Sequence, residues 1–176
     1  MPVTVLEITP LGRGLFREYV KQVCKPNGEQ YYETQMQGEV TAIAASGNIA
    51  AVAVVGITNA SIVSVANISL YMIYPDRLEF GVTLSEPLGG RYSHKLTVSC
   101  LSMTTVGGHP AIASGSKDGT VKIWGPVGPE CKQQIEIDAH ARGVLDMKVC
   151  EDELYTMGDD VYVSSTEFSH YQCHVF

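Results

Sequence analysis

Two stretches of this chain repeat one another, and a repeat constrains a fold strongly, because each unit must bury a face against its neighbour. His94-Lys95-Leu96-Thr97-Val98 and His140-Ala141-Arg142-Gly143-Val144 both read His-x-x-x-Val, running from position 94 to position 140, a spacing of 46 residues. Each opens an apolar run, Val98–Met103 in one and Val144–Val149 in the other, and both runs read as strands. Further on, Ser114 aligns with Thr156 and Asp118 with Asp160 at an offset of 42, so the later unit has the shorter first turn. Asp118-Gly119 between alternating apolar segments predicts a hairpin, since that dipeptide tolerates the positive φ angles a tight turn needs. Strands are expected to follow at Val121–Trp124 and Val161–Ser164. An earlier unit keeps the strand order without the His or the Asp-Gly turn: Val40–Ala44, Ile49–Val55, then Ile68–Tyr74. Val3–Ile8 and Phe16–Val20 read as two strands of another. Gly89-Gly90-Arg91 and Gly107-Gly108-His109-Pro110 read as turns between strands, not as phosphate-cradling loops.

The segment Ser114-Gly115-Ser116-Lys117-Asp118-Gly119-Thr120-Val121-Lys122-Ile123-Trp124 resembles the signature of the WD40 family. In that family a His before the first strand, a Ser or Thr in the second, an Asp in the following turn and a Trp in the third form a buried hydrogen-bonded network. His94, Ser114, Asp118 and Trp124 match these positions, and the next unit keeps His140, Thr156 and Asp160, with Ser164 about where the Trp belongs. Gly125 stands in place of the Asp of the Trp-Asp dipeptide. Such a network makes physical sense, because a single blade has little core and satisfied polar groups fix a register that apolar packing alone lets slip. The resemblance implies an all-β fold of WD40-type β-propeller blades, three to about four, forming an incomplete propeller in one domain over 1–176. The units fall at about 39–93, 94–139 and 140–176, with 1–38 a partial blade. About four blades is the lower end of what closes, and open edges invite aggregation. The ring is therefore expected to be completed by more of a longer or split protein, by a copy of the chain or by a partner.

Charge and composition exclude several function classes. Lys+Arg 12 against Asp+Glu 19 leaves a net charge of −7 with no run of cations, so no nucleic-acid partner is expected. Hydrophobic residues at 45% and charged residues at 18% describe a chain that folds. Five cysteines without a Cys-x-x-Cys pair, and no apolar signal core at the N-terminus, point to a reducing, cytoplasmic location. Asn59-Ala60-Ser61 and Asn67-Ile68-Ser69 are then chance matches to the glycosylation pattern. Val40 to Pro75 carries no charge, and 49–66 is apolar enough to raise a membrane span as an alternative. Asn59, Ser61, Ser64 and Asn67 among β-branched residues favour strands separated by a polar turn, so no membrane insertion is expected.

The residues offer little chemistry. Gly158-Asp159-Asp160 resembles the metal-binding hairpin of RNA-dependent RNA polymerases, and a metal-dependent enzyme is the competing reading. The chain is too small and too acidic to add a second carboxylate element and a basic template channel, and the same residues align with the Asp118 turn. His170-x-x-Cys173-His174 supplies three zinc-type ligands without a fourth, so no metal and no cofactor are expected. Neither His94 nor His140 has a nucleophile at a recognisable spacing. Cys100 and Cys150 read as buried, unreactive thiols. What is left is a scaffold and not an enzyme, binding proteins or peptides within a multi-subunit complex. The resemblance implies that loops before the first strand and between the second and third share one face, which gathers Lys95, Lys117, Arg142 and Asp159 as the partner-binding residues.

Overall fold

The computed structural model describes residues 20–24, 30–34, 39–57, 64–74, 77–84, 93–150 and 153–167. All secondary structure among them is β, in four antiparallel sheets. A two-stranded sheet pairs β1 (Val20–Cys24) with β2 (Gln30–Thr34). The next sheet runs β3 (Glu39–Ser46), β4 (Ile49–Ile57), β5 (Ser64–Ile73) and β6 (Leu78–Leu84), each strand bonded to its sequence neighbour. A second four-stranded meander follows with β7 (Val98–Val106), β8 (His109–Ser116), β9 (Thr120–Gly125) and β10 (Lys132–Asp138). The last sheet holds β11 (Val144–Cys150), β12 (Glu153–Gly158) and β13 (Val163–Glu167). The first strands lie side by side, β7 between β3 and β11. Among the described residues the sheets form no closed ring.

The repeat reaches further in the backbone than in the residues. The pairing of first and second strand shifts register between Val98 and Cys100, and again between Val144 and Asp146, four residues after each His. It shifts in the same way between Val40 and Ala42 in the sheet that has no such His. A bulge bends and twists the strand that carries it, so three sheets share one kink at the start of their first strand.

The sheets pack face to face through two apolar layers. Ala51, Ala53, Ile68 and Leu70 of the first meander meet Val98, Ile112, Trp124 and Cys131 of the second. Cys100, Ala113, Val121 and Ile123, on the opposite face of the second, meet Val144, Met147 and Leu154 of the third sheet. The uncharged run that raised a membrane span is explained by this stacking. Ala50 to Val54 of β4 are all buried, alternate residues facing the layer just described and a further cluster with Tyr71 and Leu78. A strand covered on both faces loses the polar alternation of a half-exposed one. Residues 49–57 and 64–66 are strand, and no helix among the described residues is long and apolar enough to cross a membrane.

Several boundaries and burials differ from the sequence reading. The third strand of the first meander begins at Ser64 instead of Ile68. Asn67 of the glycosylation match lies inside β5, its side-chain oxygen buried. Cys100 is buried but Cys150 is exposed, because alternation along β11 turns Val149 toward the layer and Lys148 and Cys150 away. The strand expected from Val161 starts at Val163, since Val161 sits in the turn at a φ of 63°. Gly107 and Gly108 form the turn expected there, at φ angles of 57° and 78°. Val3–Ile8, Phe16–Tyr19, Asn59, Gly89-Gly90-Arg91 and His170-x-x-Cys173-His174 lie outside the described residues.

Close approach of the second and third sheets depends on Gly115. A β-carbon there would stand 2.7 Å from Cys100 Sγ and 2.8 Å from Val144 Cγ1, both inside the packed layer. Gly115→Ala is expected to lower stability by about 1–3 kcal/mol through overpacking, read as the shift of a urea midpoint at constant slope. An unchanged midpoint would show that the two sheets are not pressed together.

Candidate functional site

The chemistry-bearing residues converge where the hairpin turns of one sheet meet the His-bearing loop of the next. In the second meander, His94 lies just before β7, Ser114 in β8, Asp118 in the β8–β9 turn and Trp124 in β9. Trp124 and His94 are almost wholly buried. Trp124 Nε1 donates to Ser114 Oγ at 2.8 Å, and His94 Nε2 stands 2.7 Å from the same oxygen. His94 Nδ1 lies 3.2 Å from Thr120 Oγ1 and 3.4 Å from Asp118 Oδ2. The Asp118 carboxylate also accepts from the backbone N–H of Lys95 and from both the N–H and the hydroxyl of Thr120. A proton on Nδ1 of His94 satisfies the whole set, because Asp118 can only accept and Ser114 can then donate toward Nε2 while accepting from Trp124.

Burial alone would raise the Asp118 pKa, but the hydrogen bonds from His94 and Thr120 outweigh it and hold the carboxyl well below its ordinary value of 3.8. Burial pushes the thiols of Cys100 and Cys131 up to about 11, which leaves both protonated and unreactive.

The third sheet keeps the histidine, the hydroxyl and the turn aspartate of this constellation, with Tyr162 where the second meander has Thr120. His140 Nδ1 stands 2.9 Å from Asp160 Oδ1, and its Nε2 stands 2.9 Å from Thr156 Oγ1. Asp160 accepts from the backbone N–H groups of Ala141 and Tyr162. Desolvation tends to raise its pKa, while those two N–H groups and His140 pull it below its ordinary value. The register corrects the Trp-equivalent position. Ser164 pairs with Thr156 as Lys122 pairs with Ser114, so the residue in the place of Trp124 is Thr166, opposite Leu154 as Trp124 is opposite Ile112.

These contacts account for the first and last residues of the Gly-Asp-Asp triplet, while the Asp159 side chain is exposed. A β-carbon on Gly158 would run into the His140 ring and stand 2.5 Å from Asp160 Oδ1, so the glycine makes room for the imidazole. Both Asp160 oxygens are engaged within the sheet, and among the described residues no three His, Cys, Asp or Glu side chains are grouped to hold a metal.

Three of the four rim positions donate a main-chain N–H, and Arg142 adjoins Gly143, which packs against Lys117. Lys95 N–H bonds Asp118, and Lys117 N–H bonds the Thr97 carbonyl at 2.8 Å. The Gly119 carbonyl accepts from the N–H groups of Ala139 and His140, and a β-carbon on Gly143 would stand 3.0 Å from Lys117 Cα. Asp159 N–H donates to the Gly143 carbonyl at 2.9 Å. Lys95, Lys117, Arg142 and Asp159 themselves are exposed.

Three participants escaped the sequence reading. Thr120 shares Asp118 with His94, and the signal for it was a hydroxyl directly after Asp-Gly. Ser93, fully buried, accepts from Ile68 N–H and donates to the Leu84 carbonyl, clipping the His94 loop onto the first meander. Lys122 is buried with Nζ 3.5 Å from Glu136 and 6.0 Å from the Trp124 ring centre. No pattern in the sequence announces a buried lysine.

No family model matches the chain, and no curated protein matches it. Among solved structures it is similar to the computationally designed Ika4 protein, at 15% identity and a TM-score of 0.47, over 76% of this chain and 94% of that one. A likeness of that degree carries no argument about fold or function.

Two outcomes follow from the turns. Asp118 is held below 3.8 in the fold, so as the pH falls the unfolded chain takes up the proton first. The stability it contributes is present above about pH 4 and is lost progressively below it, down through the folded pKa. Asp118→Asn is expected to flatten the acid limb of stability against pH, and a parallel acid limb would dissociate the carboxylate from the network. Val161 stands where the preceding unit has Gly119 at a φ of 89°, yet it is β-branched, left-handed and 93% exposed. Val161→Gly is therefore expected to stabilise by about 1 kcal/mol, removing strain without losing burial, in thermal or urea unfolding. A loss of stability would sink that account.

Proposed function

We propose that this chain is a protein-interaction scaffold built from WD40-type blades, acting inside a larger cytosolic assembly. The rim bearing Lys95, Lys117, Arg142 and Asp159 meets the partner. One observation carries this reading: the main-chain N–H groups of Lys95, Lys117 and Asp159 are hydrogen-bonded, and Arg142 adjoins Gly143, the acceptor for Asp159, while all four side chains stay exposed. A surface ordered before contact loses little entropy on binding, which is what a recognition face requires. The buried histidines then serve the scaffold. Each has both ring nitrogens engaged by a hydroxyl and a carboxylate of its own sheet, so neither of these two rings is free. The competing enzyme reading is disfavoured by the same contacts, because Gly158 and Asp160 are committed to His140.

Native mass measurement of the assembly purified from its own cells, with identification of what accompanies it, tests the proposal. Stable partner proteins are expected with the parent chain and are expected to be lost from a Lys117→Ala, Arg142→Ala double variant that keeps its circular dichroism. A lone monomer, or an assembly indifferent to both substitutions, would overturn the rim as the contact surface.

A further inference from the structure

The third sheet turns toward solvent a face that the second meander buries. Leu145, Tyr155, Met157, Val161, Tyr162 and Val163 make up most of the large hydrophobic side chains exposed among the described residues, and all belong to this sheet and its last turn. Cross-strand register orders the face into two rows. Asp146 lies opposite Met157 and Met157 opposite Val163, while Lys148 lies opposite Tyr155 and Tyr155 opposite Ser165. These six side chains are exposed, whereas Met147, Leu154 and Thr156 on the other face are buried. Apolar side chains gathered on one exposed face mark a site of association.

Two features decide what can cover this face. With Ser114 aligned to Thr156, the second meander has Ala113 and Gly115 in the places of Tyr155 and Met157. Both are buried, and Gly115 is pressed so near the third sheet that a β-carbon would stand 2.8 Å from Val144 Cγ1. A further sheet seated in the same way would collide with the tyrosine and the methionine. At the other end of the stack, Val52, Tyr71 and Leu78 of the first meander are already buried, so a head-to-tail copy finds no open face there. The open face is the third sheet's own, and its two rows carry opposite charges, Asp146 in one and Lys148 in the other.

We propose that a second copy of this chain covers the outer face of the third sheet, the two sheets packing face to face across a two-fold axis that crosses the strands between the two rows. Such an axis sets Asp146 against Lys148 of the second copy, Met157 against Tyr155 and Val163 against Ser165, and every contact occurs twice. The acid then meets a base on both sides of the axis, and the methionine sulfur meets an aromatic ring, a favourable pairing. Glu153 lies further out and accepts from the Tyr155 hydroxyl. Because both copies use the same surface, the contact closes on a pair and does not propagate. The proposal does not rest on the rim contact.

Sedimentation of the full chain over a range of concentrations tests this. A reversible dimer is expected, with no larger species. Asp146→Lys and Lys148→Asp should each raise its dissociation constant about tenfold, since each sets like charges opposite one another twice. An equimolar mixture of the two variants should associate as tightly as the parent chain, because every opposition is then between unlike charges. Recovery on mixing separates loss of the contact from loss of the fold. Val163→Ser, at a site 73% exposed, removes apolar area without adding charge and is expected to weaken the dimer too. A chain that stays monomeric at every concentration overturns the second copy, including the case in which a different protein of the native assembly occupies the face. Species that keep growing with concentration overturn the two-fold axis. A dimer indifferent to all three substitutions, or variants that fail to recover on mixing, overturns the assigned face.

Discussion

Asp118 sits in a turn where water reaches little of it, and the order of two sheets depends on how its charge is satisfied. Its carboxylate accepts from Thr120 twice, from the Lys95 backbone and from the His94 side. His94 passes the constraint to Ser114, and Ser114 passes it to Trp124. A single acid thereby fixes the loop before β7, the middle of β8 and the apolar residue of β9 that fills the layer against the first meander. A buried polar network is stabilising only when every member is satisfied, and here the donors and acceptors match.

The same arrangement explains how neighbouring sheets are joined. Ser93 N–H bonds the Ala66 carbonyl, and its counterpart Ala139 N–H bonds the Gly119 carbonyl. The residue before each histidine is thus held by the sheet that precedes it. Side-chain networks order each sheet internally, and these backbone bonds hand the order on, so the rim is a continuous surface and not a row of independent loops. The third sheet runs the same plan with Thr166 in the tryptophan position and a valine in the left-handed turn position.

A partner-binding reading gains from this economy of polar groups. The histidines, hydroxyls and turn carboxylates that would interest an enzymologist are consumed by the architecture. The charges left exposed around them are those with no structural duty.

Much of the architecture was legible from residue spacing alone. The His-x-x-x-Val recurrence, the Asp118-Gly119 turn and the alternating runs around them marked strands and turns correctly over most of 94–164, because each is a local backbone preference. What the residues could not disclose was anything set by a neighbour in space. Cys150 looked like Cys100 until β11 was seen to turn one inward and the other out. Ser164 looked like the tryptophan position until cross-strand register put Thr166 there. The uncharged run at 49–66 was ambiguous because apolar content records burial and not what does the burying. Local sequence determined turns, strands and the histidine, hydroxyl and turn aspartate of each network. Only the tertiary structure decided which faces were covered, which carboxylates were already spent and which charges stayed exposed, because those depend on residues far apart in the chain that meet only after the sheets have stacked.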